Sequence, residues 1–478
     1  MGSYYYKYDC LLSLLIAKLS YCIHTMTCKS RVAEIIQLLS TRKAFTPNIS
    51  INSHKFQHQV FSTMSSQPRI AIVGGGPAGL TLGLLLNKHR IPFTIFEVRQ
   101  QPTEEELAKP SGMLDLHEET GLGVIKECGL YDQFVPLTGE CSEDFVVAER
   151  NGKVLCSVGG EGTRPEISRN NLTKLLLGGI PAEGVKWNHR LLSAAKTFTS
   201  GDNKTELDFG INGKQQFDLV VGADGAWSRV RKLLTDTEPH YTGMQNITIT
   251  IRNITKKYPH LAELIGSGSF TVLGNKHAVI SQRGPMDSAR VYIWLTMPDK
   301  ANATNFGLVG TPATVAKDKL LGDDVLLGTF GDKIKELVAT ACDEETADNP
   351  GANLDIKALH TLPHGNSWDH RAGITLVGDA AHLMLPNGEG VNIAMYDSLL
   401  LSQAIIKAYG RAGKDIESFN NILDPLLKEF EVGMMERAKE AGKDTDILIG
   451  NMFGTDDAAF DLVSFFQSVQ QQQGSKEQ

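Results

Sequence analysis

Asp379 stands in Gly378-Asp379-Ala380-Ala381-His382, after the apolar run Ile374-Thr375-Leu376-Val377 and ahead of Pro386 and Gly388-Glu389-Gly390-Val391-Asn392. The apolar run has the pattern of a buried parallel strand, so the carboxylate emerges at a strand's carboxyl end, where open α/β sheets hold ligands. There it can accept hydrogen bonds from a sugar-like hydroxyl. Beyond Pro386 the glycines let backbone approach a flat ligand, and the long apolar helix they open aims N-terminal amides and a positive dipole end at it. A reduced flavin, negatively charged on its pyrimidine ring, suits that arrangement. An ordinary strand-loop-helix crossover is the competing explanation.

Two upstream motifs weigh against that competitor. Arg69-Ile70-Ala71-Ile72-Val73 leads into Gly74-Gly75-Gly76-Pro77-Ala78-Gly79, an apolar helix from Leu80 to about Lys88, and Phe93-Thr94-Ile95-Phe96-Glu97. In this strand, turn, helix, strand order Gly74 permits the tight turn, Gly76 lets backbone approach a pyrophosphate, and Gly79 lets helix and strand pack closely. Glu97, 18 residues after Gly79, is placed to hold the hydroxyls of an adenosine ribose. The second motif is Gly222-Ala223-Asp224-Gly225-Ala226-Trp227-Ser228-Arg229-Val230-Arg231, again after an apolar strand. Asp224 falls at the strand end, and Ser228 can cap the helical segment that carries Arg231. A common Asp-Gly turn is the plainer explanation. In Pro165-Glu166-Ile167-Ser168-Arg169, Arg169 opens a helix and could reach a flavin or its phosphates, although arginines at helix starts are more often solvated.

These motifs, in this order, resemble the single-component FAD-dependent aromatic hydroxylases, the class A flavoprotein monooxygenases. Ser111-Gly112-Met113-Leu114-Asp115-Leu116-His117 and Gly378 to Met384 resemble most closely the tetracycline-inactivating flavin monooxygenases and similar oxygenases of natural-product pathways. The resemblance spans about residues 68 to 450. It implies that Gly74, Gly76, Gly79 and Glu97 bind the ADP half of FAD with Arg99 nearby, and that Gly112, Asp115 and Arg169 meet the flavin end or the phosphates. Asp379 would meet the ribitol and pyrophosphate region, and Gly390, Val391 and Asn392 the isoalloxazine edge. Asp224 falls in the motif implicated in both FAD and NADPH pyrophosphate binding. Two departures stand out: Val98 separates Glu97 from Arg99 where the most similar relatives have Glu-Arg, and Asn387-Gly388-Glu389 is more acidic than usual.

The implied activity is FAD-dependent monooxygenation, with NADPH or NADH and O2, of an aromatic or polycyclic small molecule in secondary metabolism. Dehydrogenation or oxidation without oxygen insertion, and Baeyer-Villiger oxygenation, remain alternatives on these motifs. In such chemistry the cofactor supplies the reactive oxygen, so a protein base is optional. His117 and His382 are accordingly expected to be structural, and no catalytic residue is assigned. Trp227 and Trp294 are expected in the core. Tyr292 to Pro298 lacks the Trp-x-Trp-x-Ile-Pro signature of flavin halogenases.

The elements that must position these residues follow as an α/β chain: a Rossmann-like FAD-binding domain interrupted by an antiparallel β-sheet substrate domain, with a C-terminal helical arm. The FAD-binding domain takes 68–128, 151–239 and 355–388, the substrate domain 129–150 and 240–354, the helices 389–455, and a tail 456–478 whose Gln-rich end, Gln467 to Gln478, is expected to fray. The 478 residues carry a net charge of -8, which disfavours nucleic-acid or anionic-membrane partners. Residues 1–63 hold seven Lys/Arg against Asp9 and Glu34. The segment 1–67 is expected to be a disordered extension, or a mitochondrial transit peptide. Leu11 to Ala17 is too short to span a membrane. Seven cysteines without a CxxC pair support neither a disulfide framework nor a zinc site. A cytoplasmic monomer without bound metal is the expectation.

Overall fold

The computed structural model describes residues 67–160, 162–199 and 202–474. The expectations for residues 1–66, including Cys10, Cys22 and Cys28, lie outside the described residues. A five-stranded parallel sheet runs in the order Ile374–Leu376, Leu219–Gly222, Ile70–Val73, Thr94–Phe96, Val185–Lys186. The strands Ile70–Val73, Leu219–Gly222 and Ile374–Leu376 are buried throughout, as parallel strands covered on both faces must be. The helix Pro77–Lys88 packs against Glu389–Ala412, which packs in turn against Ile416–Phe453. Segments distant in sequence therefore share one core.

The second layer is a seven-stranded sheet ordered Ile356–Thr361, His240–Ile251, Ser288–Thr296, His277–Gly284, Ser269–Gly274, Phe145–Glu149, Val154–Val158. It is antiparallel except where Ser269–Gly274 runs parallel to Phe145–Glu149. Its two edge strands fall inside 151–239 and 355–388, the spans expected in the nucleotide half. The hairpin turn at Asn151-Gly152, with Gly152 at φ +88°, keeps Val154–Val158 beside Phe145–Glu149. Conversely, Leu130 and Phe134, expected in the sheet domain, are buried in the nucleotide half's core.

The Gln-rich end expected to fray is helical as far as Gly474. Ala458–Gly474 is helical, and Ala458, Ala459 and Leu462 bury an apolar stripe beside Trp294 and Phe453. Spacing at i, i+1 and i+4 gives one helix face, a signal that the glutamine run obscured. Trp294 is in the core as expected and stacks on Phe453 at 5.7 Å. Trp227 is not: it is 46% exposed, its ring edge-on to His360 at 5.1 Å. Among the described residues no helix is long and apolar enough to cross a membrane, and no group of three or more His, Cys, Asp or Glu suits a metal ion.

The long helix Ile416–Phe453 is tied to the parallel sheet by His370, whose Nδ1 lies 2.7 Å from Glu431 Oε2 and whose Nε2 lies 3.0 Å from Asp424 Oδ1. Burial, the largest influence, disfavours the imidazolium, yet the two carboxylates outweigh it and raise the pKa of His370. A raised folded-state pKa means stability fully present below the ordinary value of about 6.5 and lost as pH rises through the raised value. His370→Gln is expected to destabilise by about 1.5–3 kcal/mol at pH 6. The deficit should shrink toward pH 9, and urea midpoints across that range would measure it.

Candidate functional site

The carboxyl ends of the parallel strands gather the motif residues. Gly74 has φ +112°, and a Cβ there would lie 2.0 Å from the Ala223 carbonyl oxygen. A Cβ on Gly79 would lie 2.0 Å from the Gly74 oxygen, so helix and turn touch at backbone distance. Gly76 is the N-cap of Pro77–Lys88, and Pro77 occupies a first-turn position whose N–H would be unpaired in any case.

Glu97 is buried, and its carboxylate accepts from the Gly75 amide at 2.7 Å and the Arg99 amide at 2.8 Å. Arg99 Nε donates to Oε1 at 2.9 Å and Nη2 to Oε2 at 3.1 Å. The intervening Val98 therefore lets Arg99 fold back and clasp Glu97 with both backbone and side chain. Burial raises the carboxyl's pKa, but the Arg99 contacts win and hold Glu97 ionised below its ordinary value. An ionised acceptor beside a glycine turn suits the hydroxyls of a nucleotide ribose.

Asp224 sits next to this turn, since Ala223 donates to the Val73 carbonyl at 2.8 Å. Its carboxylate turns back into its own loop, accepting from Ser228 Oγ at 2.5 Å and the Arg229 amide at 2.7 Å. Ser228 Oγ in turn accepts from the Arg231 amide at 2.9 Å, the cap expected from the motif. Arg231 is buried and donates to the carbonyls of Ala226 at 2.7 Å and Ala380 at 3.0 Å. It thereby braces the Asp224 loop against the turn that carries Asp379.

Asp379 is exposed at the start of the short helix Asp379–His382, after Gly378 at φ +61°. His382 behind it is buried, with Nε2 2.7 Å from Asp397 Oδ2, and Arg437 Nη2 donates to Asp397 Oδ1 at 2.8 Å. Burial again disfavours the imidazolium most, and Asp397 outweighs it, so the pKa of His382 rises. Both histidines expected to be structural, His117 and His382, are thus locked to carboxylates.

The flavin-end residues meet where the ladder of Met113–Asp115 with Glu166–Ser168 lies between the seven-stranded sheet and the first turn of Glu389–Ala412. Arg169 donates its amide to Gly112 O at 2.9 Å, and a Cβ on Gly112 would lie 2.7 Å from Tyr292 Oη. Gly390 and Val391 lie in the first helical turn. Asn392 is fully buried with its amide saturated: Oδ1 accepts from the His117 and Gly121 amides, and Nδ2 donates to Asp115 O and Gly388 O. Its side chain clamps three segments, which leaves backbone as the means of meeting a ligand here.

Beneath that clamp lies a cluster of acids. His117 Nε2 is 2.9 Å from Asp115 Oδ2, and Nδ1 is 3.5 Å from Glu389 Oε1. Glu166 faces Asp115 across the ladder, its Oε2 held by Gln282 Nε2 at 2.8 Å. Burial, then the Asp115 charge, push the Glu166 pKa well up. Burial also raises Glu389, against the pull of His117. Asp115 Oδ1 and Glu389 Oε1 are buried without a hydrogen-bond partner. Orphaned acceptors of this kind suit donors on a bound group. With the glycine turn, the ionised Glu97 and the exposed Asp379, they make a donor and acceptor set that fits FAD.

Glu166, Asp397 and Arg437 escaped the motif reading because their partners lie 15 to 116 residues away or on another layer; Glu389 alone left a trace, as an unusually acidic loop residue. The family model described as an FAD binding domain matches residues 68–306 and 332–418. The chain is 37% identical over 413 residues to Monooxygenase penA of Penicillium thymicola, covering 80% of this chain and 94% of that one. It is 35% identical to Monooxygenase asqM of Emericella nidulans, covering 78% and 93%. Among solved structures, Klebsiella pneumoniae HpxO complexed with FAD and uric acid superposes with a TM-score of 0.65 at 16% identity, covering 87% of this chain and 96% of that one. Tetracycline destructase Tet(51) gives a TM-score of 0.57 at 16% identity, covering 85% and 98%. At that identity the two structures show likeness of fold.

Proposed function

The chain belongs to the FAD-binding-domain family of FAD-dependent monooxygenases, and we propose that it uses NAD(P)H and O2 to hydroxylate an aromatic or polycyclic small molecule in natural-product metabolism. The observation that carries this reading is the convergence of the Gly74 turn, Glu97 and the Asp379 turn on one edge of a parallel sheet, with the Arg169 and Glu389 segments facing the second sheet. In it, Gly74, Gly76, Gly79 and Glu97 hold the ADP half of FAD, and Asp379 the ribitol. Gly112, Asp115, Arg169, Gly390, Val391 and the Asn392 backbone frame the flavin. Asp224 shapes the loop beside the pyrophosphate rather than meeting it through its carboxylate.

Bound FAD would take a hydride from NAD(P)H and then activate O2; the protein's part is to bind, orient and exclude water. The fungal relatives support a secondary-metabolic setting, and the relatives' names support oxygen insertion over dehydrogenation. The four described cysteines form no disulfide with one another, in keeping with a reducing, cytoplasmic setting. The purified protein should be yellow and oxidise NAD(P)H in step with product. Product mass under ¹⁸O₂ should rise by one labelled oxygen on a ring carbon. Unlabelled product would replace hydroxylation with dehydrogenation, and label inside an ester would replace it with Baeyer-Villiger chemistry.

A further inference from the structure

The seven-stranded sheet has two unlike faces. Ile247, Ile249, Ile293 and Leu295 point to one side and pack in a wholly apolar cluster with Ile334 and Leu337 of Asp332–Asp348. Asn246, Thr248, Tyr292 and Trp294, which alternate with them along the same two strands, point to the other side. There Tyr292 and Trp294 share an apolar cluster with Met244 and with Leu385, the residue before Pro386 in the loop that leads to Glu389–Ala412. A Cβ on Gly112 would lie 2.7 Å from Tyr292 Oη, so this face abuts the flavin-end ladder.

Asn246 and Trp294 are direct cross-strand partners, a pairing that sets Cβ atoms about 5 Å apart. Asn246 Nδ2 donates to Thr248 Oγ1 at 3.2 Å, which leaves Oδ1 as the acceptor still to be met. Asn246 Oδ1 and Trp294 Nε1 are both buried without a hydrogen-bond partner among the described residues. One is an acceptor and the other a donor, yet they do not satisfy each other. The partnered pair Ile247 and Ile293 on the opposite face shows that apolar side chains serve the packing there. Polar atoms left over in apolar surroundings are the mark of a ligand site, where a few placed groups fix orientation. We propose that Asn246 Oδ1 and Trp294 Nε1 grip an amide edge of the substrate, which is a planar lactam, an inference that rests on the monooxygenase reading above. Oδ1 accepts from the lactam N–H, and Nε1 donates to its C=O. Two side chains of opposite polarity call for two ligand atoms; a lone hydroxyl has one atom to divide between them.

The test titrates the flavin absorbance of the holoenzyme, without NAD(P)H, with pyridone, isoquinolone and phenanthridinone, each beside its N-methyl derivative. At least one lactam should perturb the spectrum and bind at least about 10-fold more tightly than its N-methyl form. In Asn246→Leu that preference should vanish. Trp294→Phe keeps a ring against Phe453, and it should weaken lactam binding about 10-fold while leaving the affinity for phenanthrene, the parent hydrocarbon, unchanged. The FAD dissociation constant should stay at its wild-type value in both variants. The grip is overturned if no lactam binds, if the preference persists in Asn246→Leu and so reflects steric exclusion of the methyl, or if FAD affinity falls in parallel. It is equally overturned by a phenanthrol that binds more tightly than phenanthridinone and weakens in both variants. Because binding is read without turnover, an enzyme that grips lactams but inserts no oxygen from ¹⁸O₂ refutes the monooxygenase reading alone. Oxygen insertion without lactam preference refutes only the grip.

Discussion

Gly74→Ala is expected to give protein that purifies colourless, with FAD affinity lowered at least about 100-fold, or ~2.7 kcal/mol. The added methyl meets backbone, lying 2.0 Å from the Ala223 oxygen and 2.5 Å from its carbonyl carbon, so no side chain can swing aside. The φ of +112° adds about 1–3 kcal/mol of conformational strain for a residue with a Cβ. Relief requires the Asp224 loop to move away from the Ile70–Val73 strand end, which disturbs the Gly75 amide bonded to Glu97 at 2.7 Å. Gly129→Ala isolates the conformational part, because Gly129 has φ +76° with nothing within 4 Å of an added Cβ. That control should lose about 1 kcal/mol of stability and stay yellow. Flavin absorbance per protein and fluorescence titration of FAD measure both; a Gly74→Ala protein with wild-type FAD affinity would remove the turn from the cofactor site.

That contrast bears on what could be seen in the chain before its structure. Gly74, Gly79 and Glu97 were legible because one strand-turn-helix-strand unit of about thirty residues brings them together, and its chemistry is local. Asp379 was legible for the same reason, as the residue after a buried strand. Asp224 and Asn392 have the right residue types at the right places, yet their side chains are consumed by loop and helix contacts that spacing cannot reveal. The edge strand Ile356–Thr361 joins the seven-stranded sheet through the distant strand His240–Ile251, a partner chosen by tertiary packing, so linear order misplaced it; Val154–Val158 was assigned to the nucleotide half although its own hairpin ties it to Phe145–Glu149. The acid cluster is the extreme case: Asp115 and Glu166 become neighbours only through the ladder's register, and Glu389 reaches His117 only after the C-terminal helix docks.

Long-range pairing also sets the second large effect, at Asp397. Its carboxylate is wholly buried and bridges His382 at 2.7 Å and Arg437 at 2.8 Å, joining the Asp379 turn to two helices. Asp397→Ala leaves both cations without their carboxylate, and loss of one partner from a buried ion pair costs about 3–5 kcal/mol. Arg437 Nε is already buried without a hydrogen-bond partner, and beside Asp397 the guanidinium rests over the Tyr396 ring, 5.5 Å from its centroid. The pH dependence identifies the mechanism. His382 has a raised folded-state pKa because Asp397 outweighs burial, so the stabilisation is complete below about 6.5 and fades as pH rises through the raised value. In Asp397→Asn burial becomes the stronger influence, the His382 pKa falls, and this site's contribution to stability should rise with pH instead. Urea midpoints should therefore differ more between wild type and Asp397→Asn at pH 6 than at pH 9; an equal gap at both would remove the charged pair as the cause. The same variant should bind FAD more weakly, because the turn presenting Asp379 would lose its His382 anchor, although it keeps the Arg231 and Asn366 side-chain bonds to the Ala380 and Ala381 carbonyls.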